Sequence, residues 1–289
     1  MRDIGHRAAN IVGIYVENQQ SLYSIHRGQG MGKVPLSVAI ITKNEEENIR
    51  ACLQSVAFAA QIVVVDSGSE DATLKICTAF GCDIYRESWH GFGGQKQLAI
   101  DQCRQPWVLV LDADERIPPE TADIIRAIVS DARPQADGFS FPRKNFFQGR
   151  WIRHAGWWPD RVLRLFSRSA GRMTPVAVHE AVEVRGRITE LDAPIEHYTE
   201  SNLSKILQKI DKYSTLGARE SFAGGHRSSS VAAFFRAFFT FIQGYFLRLG
   251  FMDGRQGLTL AVTDSVNKYF KYAKLSELER IGRGAKRQP

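Results

Sequence analysis

Short apolar runs alternate with amphipathic stretches over the first half of the chain. Leu36-Ser-Val-Ala-Ile-Ile-Thr42 reads as a strand, and Lys43-Asn-Glu-Glu-Glu47 leads into a helix over about residues 46–56. Gln61-Ile-Val-Val-Val-Asp66 is a second strand, ending in Ser67-Gly68-Ser69 and followed by a helix over roughly 71–80. Residues 82–85 give a short third strand, 94–103 a helix and 107–112 a fourth strand. Consecutive apolar residues without polar alternation belong to strands buried on both faces. Strands that alternate with helices build parallel sheets. The expected fold class is α/β, a mostly parallel sheet covered by helices, with a C-terminal helical extension.

The pattern changes after about residue 138. Gly138-Phe-Ser-Phe-Pro142 and Val162-Leu-Arg-Leu-Phe166 read as further strands, and Trp151, Trp157 and Trp158 crowd the segment between them. Residues 202–221 carry helical periodicity. Residues 231–251 are almost wholly apolar and aromatic, with Arg236 and Arg248 as charged interruptions. Residues 1–33 read as a weakly ordered N-terminal extension, and Met31 stands as an alternative start just before the first strong strand.

Open parallel sheets bind ligands beyond the carboxyl ends of their strands. Three polar clusters fall there: Asn44-Glu45, Asp66-Ser67 and Asp112-Ala113-Asp114. In the last, the apolar run Val108–Leu111 stops at two carboxylates one residue apart, and strand alternation puts i and i+2 on one side. Asp112 and Asp114 therefore have two readings. Either they converge on a hard divalent cation, Mg²⁺ or Mn²⁺, which also bridges to phosphates. Or they serve as turn and cap residues ahead of the helix start Pro118-Pro119-Glu120.

With 289 residues and 44% hydrophobic positions, the chain has material for one large domain, alone or with an appendage. Its net charge of +7 favours anionic partners, either phosphorylated substrates or an anionic membrane surface. Nucleic acid is not an expected partner, because neither a zinc-finger spacing nor an RNA-binding aromatic signature is present. Cys52, Cys77, Cys82 and Cys103 fit neither a zinc site nor a Cys-x-x-Cys pair, and read as small core residues in a reducing cytoplasm. An export leader is not expected, since the N-terminus lacks the charged, apolar and cleavage regions of one. A nucleotidyltransferase is disfavoured too: the loop after the first strand is acidic where that chemistry wants glycines and a basic residue.

In combination, the motifs resemble family 2 glycosyltransferases of the GT-A, Rossmann-like fold. They are Thr42-Lys-Asn-Glu-Glu46 after the first strand, Asp66-Ser-Gly-Ser-Glu-Asp-Ala-Thr73 after the second and Asp112-Ala-Asp114 after the fourth. Later pieces resemble, more narrowly, the bacterial lipopolysaccharide inner-core β-glucosyltransferases. These are Pro159-Asp160 with Arg164-Leu-Phe166, Val178-His-Glu180, His197-Tyr-Thr199 and Gly250-Phe-Met-Asp-Gly254-Arg-Gln-Gly257. The resemblance spans about residues 35–275. It implies an inverting, metal-dependent transferase moving glucose from a nucleotide-sugar donor, UDP-glucose, to a lipid-linked oligosaccharide acceptor, a core heptose. A polyprenyl-phosphate or protein acceptor is the alternative. A catalytic domain over 34–200 follows, with a donor half at about 34–116 and an acceptor half at about 117–200. Residues 201–289 then form a helical region for membrane association or oligomerisation. A processive polymer synthase is disfavoured, because Gln148-Gly-Arg-Trp151 is one residue short of Gln-x-x-Arg-Trp and in the wrong place.

The resemblance also implies roles for single residues. Asp114 is the direct ligand of Mg²⁺ or Mn²⁺, while Asp112 contacts the ribose or reaches the metal through water; such an ion neutralises the departing diphosphate. Asp66 contacts uracil or ribose, or else caps the turn Ser67-Gly68-Ser69. Asn44 and Glu45 line the same pocket or cap the next helix. Lys96, in Gly91-Phe-Gly-Gly-Gln-Lys96, pairs with the diphosphate near a helix N-terminus, although many family members carry Arg-Asn where this chain has Gln95-Lys96-Gln97. The base that takes the acceptor's proton is Glu180, with Asp160 second. A salt bridge to Arg185 is the structural alternative for Glu180. His179 orients base or acceptor, or is a structural hydrogen-bonder. His197 is a further metal ligand or a structural histidine. Arg161 and Arg164 bind an acidic acceptor, and Trp157 and Trp158 stack on sugars or pack the core.

Residues 231–251 have the length of a membrane span. Arg236, Thr240 and Gln243 make a narrow polar stripe at i, i+4 and i+7, opposite Phe234, Phe235, Phe238, Phe239, Ile242, Tyr245 and Phe246. Such a helix lies in an inner-membrane interface, with C-terminal lysines and arginines on anionic lipid, or packs within the domain or a homo-oligomer; the two arginines weigh against a span. The expected location is peripheral, on the cytoplasmic face of the inner membrane.

Overall fold

The computed structural model describes residues 32–174, 181–199 and 202–285, with side chains to 282. The N-terminal extension thus lies outside the described residues up to Met31. The first half runs β1 (Val34–Thr42), α1 (Ile49–Ser55), β2 (Ala59–Asp66), α2 (Thr73–Ala79), β3 (Asp83–Arg86), α3 (Gly91–Asp101) and β4 (Trp107–Asp112). β3, β2, β1 and β4 lie side by side in that order, all parallel. Alternation along β1 feeds two core layers. Leu36, Val38 and Ile40 pack with α1, α2 and α4 (Pro119–Ser130), while Ala39 and Ile41 pack under α3. Because β1 has β2 on one side and β4 on the other, its carboxyl end is the point where the winding reverses, and a crevice opens there.

The second half adds β5 (Glu115–Arg116), β6 (Gly138–Phe147), β7 (Arg150–Trp151), β8 (Asp160–Ser167), β9 (Gly171–Met173), β10 (Val182–Val184), β11 (Ile188–Glu190) and β12 (Ile195–Tyr198). β8 and β6 continue the sheet antiparallel, β12 runs parallel to β6, and β5 closes the far edge antiparallel to β12. Only Ala113 and Asp114 separate β4 from β5, yet three strands lie between them in the sheet. Two residues span at most about 7 Å. The sheet therefore curls, and the ends of β6 and β12 come over the tip of β4.

Several expected boundaries differ: α3 begins at Gly91 rather than near 94, and β6 continues past Pro142 to Phe147. The first helix begins at Ile49 rather than near 46, because the preceding backbone is committed elsewhere: the N–H groups of Asn44, Glu45 and Glu46 donate to Ser69, Thr73 and Asp71. Residues 231–251 are not one helix. After α5 (Leu203–Ala223), α6 (Ser230–Ile242) passes into a wide turn, Gln243–Leu247; Leu249 is left-handed at φ 57°, and Gly250–Asp253 reverses the chain into α7 (Gly254–Ala285). Glycines force the reversal: a Cβ on Gly257 would lie 1.9 Å from the Gly250 carbonyl oxygen, and one on Gly250 2.6 Å from that of Gly244. Buried Asp253 then docks the turn, accepting from the N–H groups of Arg153 (3.3 Å) and His154 (2.9 Å) and contacting the His154 ring.

α6 packs through its small residues. Its buried positions are Ala233 (0% exposed) and Ala237 (9%), which face α7, and Ser265 donates to the Ala237 carbonyl. The Arg236 guanidinium lies over the Tyr272 ring. The phenylalanines point outward. Ser230–Leu247 is long and apolar enough to cross a membrane, with mean hydropathy 1.3, and only 11% of it is buried. The four cysteines are free thiols, three of them buried, as core residues should be.

Candidate active site

A cleft of about 660 Å³ opens at the carboxyl ends of β1, β2, β4, β6 and β12, lined on one side by residues 44–48, Glu70 and Asp71 and on the other by Asp114, Phe146, Gly149 and Tyr198, with Lys205 and Lys209 at its rim. The first wall is built by lacing two loops together. Asn44 takes a left-handed backbone (φ 56°), its N–H donates to Ser69 Oγ, and its side-chain oxygen accepts from the Glu70 N–H. Glu45 accepts from Asn48, and Glu46 from the Ala72 N–H. Asp66 is 1% exposed and accepts from Thr42, Ser69 Oγ and the N–H groups of Gly68 and Ser69. In this geometry it caps the turn beneath the cleft. Asn44 and Glu45 line the cleft and also hold the adjoining loop.

Below the tip of β4, opposite charges alternate. Asp112 Oδ1 meets Lys96 Nζ at 2.8 Å, and its Oδ2 accepts from Arg164 Nη2 at 2.7 Å. The same Arg164 nitrogen donates to Glu115, which is fully buried and also receives Arg143 Nη1 at 3.3 Å and the Asp112 N–H. Arg143 continues through Nε and Nη2 to Asp160 Oδ2, at 2.9 and 2.6 Å. Burial opposes the charge on Asp112, yet Arg164 and Lys96 hold its carboxyl well below the ordinary range. Burial likewise opposes Arg164, and Glu115 and Asp112 outweigh it, raising its pKa. Asp160 follows the same rule: burial works against its charge and Arg143 keeps its pKa low.

The chain of charges ends at Asp114. Asn145 donates through Nδ2 to the Trp157 carbonyl and to Asp160 Oδ2, both at 3.1 Å. Its oxygen therefore faces His197 Nδ1, at 2.6 Å, and that nitrogen carries the proton. His197 Nε2 is then left with its lone pair toward Asp114 Oδ2, 3.3 Å away. Two acceptors in this position require positive charge between or upon them, a proton on the imidazole or a metal ion. A carboxylate oxygen and an imidazole nitrogen suit Mn²⁺ well and Mg²⁺ less so. Among the described residues no group of three or more His, Cys, Asp and Glu gathers to hold a metal. Ions bound by few protein ligands complete their shell with substrate phosphates and water.

The structure brings together Lys96, Asp112, Arg164 and Asp160 in one network, and Asp114 with His197. It separates Arg161 from Arg164. Three residues apart on β8, they stand on opposite faces, and Arg161 turns to Glu190, Asp192 and the Leu191 carbonyl. Arg164 is buried inside the network instead of lying on an open acceptor surface. Trp158 packs edge-on against Trp151, and Trp157 against Phe147. His179 and Glu180 lie outside the described residues. Glu115, Arg143 and Asn145 were not singled out from the sequence. Their signal was present: Glu115 follows Asp112-Ala-Asp114 directly, and Arg143 and Asn145 stand two apart, on one face of β6.

The chain is similar in sequence to known glycosyltransferases. A family model described as Glycosyl transferase family 2 matches residues 37–182. The chain is 32% identical over 260 residues to the lipopolysaccharide core biosynthesis glycosyltransferase LpsC of Rhizobium meliloti, covering 84% of this chain and 92% of the relative. An uncharacterized glycosyltransferase of Rickettsia typhi is 26% identical over 255 residues, covering 84% and 87%. The solved structure of S. aureus TarS 1–349 in complex with UDP-GlcNAc is similar at TM-score 0.41 and 16% identity, covering 86% and 92%.

Proposed function

The chain belongs to glycosyl transferase family 2, and on that premise we propose that it is an inverting, metal-dependent glucosyltransferase of lipopolysaccharide core assembly. The donor in this reading is UDP-glucose and the acceptor a heptose hydroxyl on a lipid-linked core oligosaccharide at the cytoplasmic side of the inner membrane. The acceptor class is supported by the Rhizobium relative, whose name specifies lipopolysaccharide core biosynthesis. The observation that carries the chemistry is the Asp114–His197 pair in and beside the cleft.

Asn44 and Glu45 shape the nucleotide side of the cleft, and Asp66 keeps the turn beneath it rigid. Asp114 and His197 would hold Mg²⁺ or Mn²⁺, which when bound supplies positive charge to the departing diphosphate. Asn145 fixes the imidazole so that Nε2 presents its lone pair. Lys96 and Arg164 hold Asp112 ionised and still at the tip of β4. Lys96 is paired with Asp112, two residues before Asp114 in the chain.

Inversion requires a base on the sugar face opposite the leaving group, taking the proton from the acceptor hydroxyl as its oxygen attacks the anomeric carbon. We assign that role to Glu180, with His179 and Arg161 toward the acceptor. Asp160 suits it less, because its Oδ2 already accepts from Arg143 and Asn145 and its pKa is held low.

The test is a panel of UDP- and GDP-sugars offered with core acceptor, with Mg²⁺ or Mn²⁺ or with a chelator. UDP-glucose should be the working donor, and chelation should stop transfer until metal is restored. Full transfer in chelator removes the metal role. Glu180→Gln should lower transfer by about 10²–10⁴-fold with UDP binding intact; near-native transfer moves the base elsewhere.

A further inference from the structure

We propose that the hairpin of α6 and α7 seats this protein on an anionic bilayer surface, lying in the headgroup layer with the mouth of the cleft beside it. α6 packs inside out for a helix in water. Its alanines meet α7, while Phe234, Phe235, Phe238 and Phe239 are 55–62% exposed. Leu247 and Phe251 extend the same apolar surface around the turn, at 67% and 47% exposed. An apolar groove of about 340 Å³ runs between the two helices. Small residues at a helix contact with large ones outside is the packing expected where the outer solvent is lipid. Contiguous exposed patches of this kind mark interaction surfaces.

Charge points to the occupant. Residues 224–252 contain three arginines, Arg227, Arg236 and Arg248, and no carboxylate; Arg227 pairs with Glu279 of α7 at 3.9 Å, leaving Arg236 and Arg248 as the rim's cations. An aromatic face with a basic rim fits anionic lipid headgroups. A span is a poor fit, because α6 lies against α7, which carries Arg255, Asp264, Lys268, Lys271 and Lys274, and those charges would follow α6 into hydrocarbon. The turn also fixes orientation. Arg150, next to cleft-lining Gly149, donates to the Met252 carbonyl, and the Ala155 N–H donates to that of Arg248. A bilayer against the turn is therefore a bilayer at the edge of the cleft.

Flotation of the full chain with phosphatidylcholine vesicles, with and without about one third phosphatidylglycerol, tests this without reading sugar transfer. The wild type should float with the anionic vesicles and less at high salt. Phe235→Glu/Phe239→Glu should reduce partitioning about tenfold or more, with UDP-sugar hydrolysis and the thermal midpoint unchanged. If that variant fails to fold, Phe235→Ser/Phe239→Ser probes the same face. The proposal is overturned if the wild type stays unbound, or if folded variants float as well as it does. It is also overturned if the wild type is a dimer in solution that the variants dissolve and no vesicle binding occurs, for then a second copy covers the face.

Discussion

Glu115 sits fully buried between Arg164 and Arg143 and receives hydrogen bonds from both and from the Asp112 backbone. Glu115→Gln keeps the shape and removes the charge, leaving two guanidinium groups short of compensation. Urea unfolding should show a loss of about 3–5 kcal/mol; a loss within error of zero means the network contributes little to folding. Asp112 and Asp160 have folded pKa values below their unfolded ones, so the folded state binds fewer protons. The stability they contribute is present above about pH 4 and is lost as pH falls through their depressed values. Unfolding followed from pH 7 downward should show that loss in the wild type and a smaller one in Asp112→Asn. At the Asp114–His197 pair, the proposed metal role predicts that Asn145→Ala raises the Mn²⁺ concentration for half-maximal activity about 10–100-fold. An unchanged metal titration would separate His197 from metal binding.

Asp112 and Asp114 were legible as strand-tip carboxylates because an apolar run ends in them, a purely local signal. Instead of converging, they turn to different partners, Asp112 to Lys96 and Arg164 and Asp114 to His197. The pairing of Glu115 with Arg143 and Arg164 was not legible, because these partners lie 28 and 49 residues away. That distance is set by strand register in the curled sheet. Local pattern carries no register across so many residues.

Among the elements, the βα units were read nearly to their ends, since buried parallel strands leave unbroken apolar runs. The aromatic stretch was read as a single helix because periodicity counts the phenylalanines and passes over the glycines. Gly250 and Gly257 make the turn, and each lacks room for a side chain. Gly257→Ala should lower stability by about 1–3 kcal/mol through the clash with the Gly250 carbonyl. Unfolding curves matching the wild type would mean the turn shifts at no cost. Arg236 is exposed with its guanidinium over Tyr272, Thr240 bonds back to the Arg236 carbonyl, and the alanine stripe decides which side is buried.

At the scale of the molecule, the two-residue link from β4 to β5 is what makes one site out of two halves. It curls the sheet until His197, on β12, reaches Asp114, at the end of β4. The family motifs mark the pieces of this site along the chain, and the curl explains why they stand so far apart in sequence. The most direct measurement is calorimetric titration of UDP into the wild type and Asp114→Asn, each with Mn²⁺ and with chelator. The account predicts Mn²⁺-dependent binding by the wild type, weakened about a hundredfold by chelation or by the substitution. Equal UDP affinity in all four titrations would contradict it.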